Sequence, residues 1–457
     1  MILYLVGVVS IYCFGLIVRR IIFFNNTAAI SATEKFGLDF GLGSGCLALL
    51  LFNLSFFGIR LTRPLMLGIA ASVIVITFVI KIFDFTRSQN QPKMPRPKMK
   101  ISNIILIAVI LLSVSVIFFK NTYYPMYEWA SRSCFGLKAK ILYNTETIYD
   151  KALLDKEFVM EHPEYPLSVP ILEAWMHKIM NTGDDRFGKS YLPFMAIAFL
   201  CLIYAVQRKF CGPTHSLIFT VLYSLIYVFI YRFACAEADA PLAFYYFTAG
   251  AYLFLWICFE KYPYLIIAAL FTAFAIFTKN EATSFFIIMS SCLCLKLVLD
   301  CRKSFMGRAA ALITYMKLAV IVLIPWLIYR FKLPTTDILV NEKTFFSPDA
   351  LNTLVANFGR TGEILNNFVF DIVLRVRKWG LFWVVFFVIQ LLTFKDIFKK
   401  PIIYLAYMVW ATILLYYLMF IIVYLEPAHM LIGMDRFALQ VSGLALLLIS
   451  LLARQKI

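Results

Sequence analysis

Six short stretches carry side chains able to move protons or bind anions. "PMYEWASRS" (125–133) sets Glu128 and Arg132 on either side of Trp129 and Ala130, directly after a long apolar run. "EHPEYPLSVP" (161–170) holds His162, Glu164 and Tyr165 among prolines that stiffen the backbone. "CAEADAPLAFYY" (235–246) offers Glu237 and Asp239, and "FTKNEA" (277–282) offers Lys279 and Glu281. "PWLIYRFK" (325–332) adds Arg330, and "MDRFALQ" (434–440) adds Asp435 and Arg436. A carboxylate can take the proton of a hydroxyl, and separated cations can hold a phosphate.

Taken singly, each stretch has an ordinary explanation. Glu128 can pair with an arginine to hold a helix end, and the proline-rich stretch can be a rigid loop. Asp239 can cap a helix ahead of Pro241, Lys279 and Glu281 can clamp a tight helical hairpin, and Arg330 can snorkel. What favours a site is company: costly polar groups recur at the ends of several apolar runs. His177 and His215 fit helix faces and receive no role. The acids are compatible with a divalent cation, but no compact DxD occurs, so no metal ligand and no cofactor is assigned.

The elements that must position these residues are helices in a bilayer. The chain has 457 residues, 62% hydrophobic and only 15% charged, with mean hydropathy +0.82, far too apolar for the surface of a soluble protein. The net charge of +17 sits in short clusters between apolar runs, which marks cytoplasmic loops and not a nucleic-acid surface. Ten cysteines form no CxxC pair, so neither a disulfide framework nor a zinc site is indicated. The apolar N-terminus has its charges after the run and no cleavage site, which predicts a retained anchor.

Apolar runs of about 20 residues fall at 2–24, 43–59, 64–85, 102–120, 191–207, 214–232, 241–259, 263–278, 282–299, 309–329, 380–394, 401–425 and 437–453. They predict an all-α polytopic membrane protein with about thirteen transmembrane helices. The segment 87–100 carries five cations and no acid and is expected in the cytoplasm. Arg208-Lys209, Arg302-Lys303, Lys395 with Lys399-Lys400, and Arg454 with Lys456 then fall on the same side; Arg60 and Arg63 dissent. The opposite face holds the long loops 121–190 and 330–379 and the short turns 234–241 and 426–436, where the chemistry lies. Within both long loops, apolar residues recur at helical spacing, as in interfacial helices along a bilayer. Three parts follow: N-terminal helices with the basic linker (1–101), a central module with the first outer loop (102–330), and a second outer loop with C-terminal helices (331–457). No internal repeat, soluble domain or broken span is legible.

These residues resemble membrane glycosyltransferases of the GT-C class, particularly the bacterial branch related to protein mannosyltransferases and the lipid A aminoarabinose transferase. Those relatives show an E-W-D-x-R-S motif, then H-P-[DE]-Y-P, A-D-x-P-L-A-F-Y, T-K-N-E and a late D-R. The sequence offers the same series in order over residues 128–436. It departs at one position, where Ala130 stands in place of the aspartate expected to be the catalytic base. Either Glu128 or Asp239 carries the base here, or the chain is an inactivated variant in which Ala130→Asp raises activity.

The resemblance implies transfer of a sugar from a polyprenyl-phosphate donor to a lipid, glycan or protein acceptor, with inversion, at the extracytoplasmic face of a bacterial inner membrane. It implies a catalytic role around Glu128, position 130 and Asp239. Lys279, Arg330, Arg436 and Arg132 would hold the phosphate, and His162, Glu164, Tyr165, Glu237, Glu281 and Asp435 would shape the sugar or acceptor pocket. The expected partners are the lipid-linked donor, the acceptor and membrane lipids, with no nucleic acid. A transporter or flippase of lipid-linked sugars would share the basic groove but show repeated halves and broken helices. A polymerase or ligase of O-antigen type would concentrate its arginines in a late loop.

Overall fold

A computed structural model describes residues 2–24, 30–88, 100–155, 157–158, 162–299, 305–334, 350–422 and 427–454. The basic segment 89–99, Arg302-Lys303, Lys456, Glu161 and residues 335–349 of the second outer loop lie outside the described residues. Among the described residues the chain is helical throughout, with no strand. Among the described residues nine helices have the length and apolarity to cross a membrane, or eleven if two broken pairs each count as one span. Two expected runs form shorter helices, Tyr262–Ile276 and Phe382–Leu392. At 1.5 Å per residue these cover only about 22 and 16 Å of a hydrocarbon layer about 30 Å thick.

The structure also breaks two expected spans. One divides into α10 (Pro213–Ser224) and α11 (Tyr227–Ala234), and Ser113 Oγ donates to the Ser224 carbonyl at the break. The other divides into α15 (Phe305–Ile321) and α16 (Ile324–Arg330), bent by 50°. Pro325, in the first turn of α16, has no N–H to continue the ladder, and its ring crowds the carbonyl four residues back.

The chain forms two compact units. The first comprises Met1–Leu153, Leu167–Ser224 and Phe233–Glu237. In it α1 (Ile2–Ile22) packs on α2 (Ala32–Phe56) through facing glycines: a Cβ on Gly15 would lie 1.6 Å from the Asp39 carbonyl oxygen, and one on Gly43 1.8 Å from that of Ile11. Small residues permit this approach where apolar burial gives no drive between helices in lipid. The helix α2 begins eleven residues before the expected apolar run because its acids are paired, Asp39 with Arg19 and Glu34 with Lys209 at 2.8 Å.

In the first loop expected to lie outside, "EWASRSCFGLKAKILY" forms a π-helical turn, Ser131–Phe135, that runs into α5 (Gly136–Thr145). The helix α7 (Ser168–Met180) is not the one-faced interfacial helix expected. It is buried from Ser168 to Ile179, since α1, α2, α3 (Arg63–Ser88) and α5 surround it. Trp175 Nε1 donates to the Gly7 carbonyl at 3.1 Å, and Arg63 Nε donates to the Lys178 carbonyl at the end of α7, 3.2 Å away. That contact accounts for an arginine that the charge pattern left on the wrong side. Burial pushes the Glu173 carboxyl well above the usual carboxylate range and holds His177 below the usual imidazole value.

The second unit comprises Leu154–Pro166, Leu225–Arg232 and Ala238–Ile457. Its centre is α12 (Asp239–Phe259), buried from Asp239 to Ile257. Around it pack α13 (Tyr262–Ile276), α14 (Ala282–Leu299) and the C-terminal helix Pro427–Arg454. The expected outer turn 426–436 is therefore mostly helix: a single helix runs from Pro427 through Asp435 and Arg436 to Arg454. In the second outer loop the short helices Ala350–Ala356 and Thr361–Asn367 leave Leu351, Val355 and Leu365 exposed, the pattern expected of an interfacial segment.

Candidate functional site

Asp239 opens α12, but it is not the N-cap. Ala238 occupies that position, which leaves both Asp239 oxygens for side chains that arrive from far along the chain. Lys279 Nζ lies 3.0 Å from Oδ1, and Arg436 Nε lies 2.6 Å from Oδ2. Asp239 is fully buried and Lys279 is 2% exposed, whereas the Arg436 side chain keeps 23%. Lys279 reaches inward because its turn is short: α13 ends at Ile276, the Lys279 amide still bonds to the Ala275 carbonyl at 3.1 Å, and α14 begins at Ala282.

Lys279 also pairs with Glu281 at 2.8 Å, so the expected hairpin clamp exists as part of a larger cluster. The second carboxylate oxygen of Glu281 is buried without a hydrogen-bond partner among the described residues. Arg232, buried, lies within electrostatic reach of Asp239. Lys279, Arg436 and Arg232 thus face Asp239 and Glu281 in a largely desolvated place, where each charge acts more strongly than in water.

The proline-rich loop joins the same cluster. The Lys279 ammonium stands 5.9 Å from the centroid of the Tyr165 ring. Tyr165 in turn stacks on His162, ring centroids 4.3 Å apart and planes within 7°. His162 Nδ1 lies 3.3 Å from Glu164 Oε1. Thus His162, Glu164, Tyr165, Asp239, Lys279, Glu281 and Arg436, drawn from four of the six stretches, meet within the second unit.

Asp435 faces away from its neighbour Arg436 and is engaged by the Lys378 ammonium and by Trp379 Nε1, the latter at 3.1 Å; it anchors the end of the second outer loop. Arg330 closes α16 and is not an ion-pair partner of Asp239. Glu128, Ala130, Arg132 and Glu237 belong to the first unit. There Glu128 and Ala130 are half-buried, Arg132 is exposed, and Trp129 is 68% exposed. The peptide around them is tied down by Lys189 Nζ, 3.3 Å from both the Pro125 and Ala234 carbonyls, and by Tyr127 Oη against Cys235 Sγ at 3.4 Å.

Sequence reasoning passed over the layer next to the cluster. Tyr246, seven residues beyond Asp239 on α12, stacks on Phe285 at 3.9 Å, and its hydroxyl lies 3.4 Å from Tyr416 Oη. Tyr416 donates to Gln440, one turn beyond Arg436. Helical spacing from Asp239 and Arg436 was the available signal. An apolar cavity of about 300 Å³, lined by Trp383, Trp410, Phe420, Met434 and Phe437 among others, borders the same C-terminal helix. Among the described residues no trio of His, Cys, Asp or Glu has the arrangement to hold a metal ion. Comparison of the chain with known protein families, with curated proteins and with solved structures returns no match.

Proposed function

We propose that this chain is a membrane glycosyltransferase of the GT-C kind, moving a sugar from a polyprenyl-phosphate donor to an extracytoplasmic lipid, glycan or protein acceptor with inversion. The observation that carries the proposal is the bridge of Lys279 and Arg436 through buried Asp239. Cations 157 residues apart in sequence converge on one carboxylate, which holds them ready for an anion. An entering phosphate would exchange with the carboxylate on the partly exposed Arg436, and the neighbouring apolar cavity offers room for a lipid tail. In this scheme the broken pairs and two short helices complete about thirteen crossings of a bacterial inner membrane, with the cluster on the extracytoplasmic side.

Binding of decaprenyl phosphate to the purified chain tests the proposal. Arg436→Ala removes a charge-assisted contact of about 1.5–3 kcal/mol and should weaken binding by about 10- to 100-fold. Equal affinity in Arg436→Ala and Lys279→Ala would remove the phosphate site. The two broken spans favour one competitor, a flippase of lipid-linked sugars. Reconstituted vesicles separate the two, because a flippase moves labelled donor across the bilayer without cleaving its sugar–phosphate bond.

A further inference from the structure

We propose that His162 is the proton acceptor of the transfer reaction and that Glu164 orients it, an assignment that rests on the transferase proposal above. The candidate base at Asp239 is already engaged: each of its oxygens is paired with a cation. Position 130 holds an alanine, whose methyl group cannot accept a proton. In the same cluster, the pair His162 and Glu164 has the components of a general base.

Three features of the loop support this. The His162 backbone has φ of +50°, the left-handed region that a non-glycine residue occupies at a cost and that clusters at functional sites. The Nδ1 contact with Glu164 at 3.3 Å orients the ring on the carboxylate, and in the tautomer with its N–H on Nδ1 the lone pair lies on Nε2. The near-parallel stack on Tyr165 fixes the plane of the ring beside the residue over which Lys279 stands. Side chains of His162 and Glu164 are each 17% exposed, wet enough for a proton to leave after each turnover.

The step balances as follows. The acceptor hydroxyl gives its proton to His162 Nε2 while its oxygen bonds to the sugar's anomeric carbon, and the bond from that carbon to the phosphate oxygen breaks. Polyprenyl phosphate leaves with the electron pair beside Lys279 and Arg436. The imidazolium is balanced by Glu164 until it releases the proton to water.

Because the natural acceptor is unidentified, water serves as acceptor, and the probes are decaprenyl phosphates carrying labelled glucose, mannose, galactose or arabinose. His162→Gly suits the left-handed backbone and opens space for added imidazole; His162→Asn tolerates the same backbone and guards against a folding artefact. Both should retain decaprenyl-phosphate binding and lose about 100- to 10,000-fold in sugar release. Imidazole should restore His162→Gly at least tenfold, which a purely structural role would not allow, and Glu164→Gln should lower the maximal rate more than it changes the half-saturating donor concentration. Unchanged release in His162→Gly or absence of imidazole rescue would overturn the His162 assignment while leaving the transferase intact. Failure of the parent chain to bind decaprenyl phosphate, or to release any of the four sugars, would overturn the transferase itself.

Discussion

Replacing Asp239 by asparagine keeps the shape of the side chain and removes its charge, and the surrounding geometry sets the cost. Lys279 is 2% exposed and retains Glu281 at 2.8 Å, while Arg436, 23% exposed, loses the carboxylate 2.6 Å from its Nε. Breaking a buried ion pair from one side costs about 3–5 kcal/mol, because the partner charge is left without compensation. Residual solvation of Arg436 and the surviving Glu281 contact place Asp239→Asn at about 3 kcal/mol, the lower end of that range. Lys279→Met alone strands Asp239 with one cation instead of two and should cost about 1.5–3 kcal/mol. The double variant has neither the carboxylate nor the buried ammonium, so its loss should fall short of the sum by about 1–3 kcal/mol. Thermal unfolding in detergent at one pH, for the parent, both single variants and the double, measures this coupling. If Asp239→Asn melts with the parent, or the two losses simply add, the buried bridge at the head of α12 does not exist as described.

Two further expectations concern the first unit. Glu173→Gln should flatten the dependence of thermal stability on pH. Burial raises the folded carboxyl, so Glu173's contribution is greatest below the ordinary glutamate value of about 4.3 and is lost as pH rises toward the folded value, by at most about 1.4 kcal/mol per pH unit. Parallel melting profiles for parent and variant across pH 5 to 8 would contradict this. Gly15→Ala should destabilise the α1–α2 pair by about 3 kcal/mol or more, since its Cβ would meet the Asp39 carbonyl oxygen at 1.6 Å and the backbone must shift; a melting temperature equal to the parent's would show that the helices do not approach so closely.

All thirteen apolar runs contain helices, since length and composition are local properties that a bilayer reads directly. The errors came where polar groups find distant partners. Glu34 and Asp39 extended α2 past its apolar stretch because Lys209 and Arg19 neutralise them. Arg63, which dissents from the charge pattern, gives its hydrogen bond to the end of α7. Asp435 and Arg436 looked like one motif, yet neighbouring positions on a helix point about 100° apart, and one serves the second outer loop while the other serves Asp239.

The sequence by itself determined the membrane class, the positions of the helices and the short list of chemically unusual residues, because hydropathy and residue type are written along the chain. Tertiary structure alone decided which of those residues share a charge. The partners of Asp239 lie 40 and 197 positions away, and no local pattern selects them over Arg330 or Arg132. Burial supplies the choice: a carboxylate removed from water at the mouth of a helix is stable only where cations can close around it, and packing determines which cations arrive.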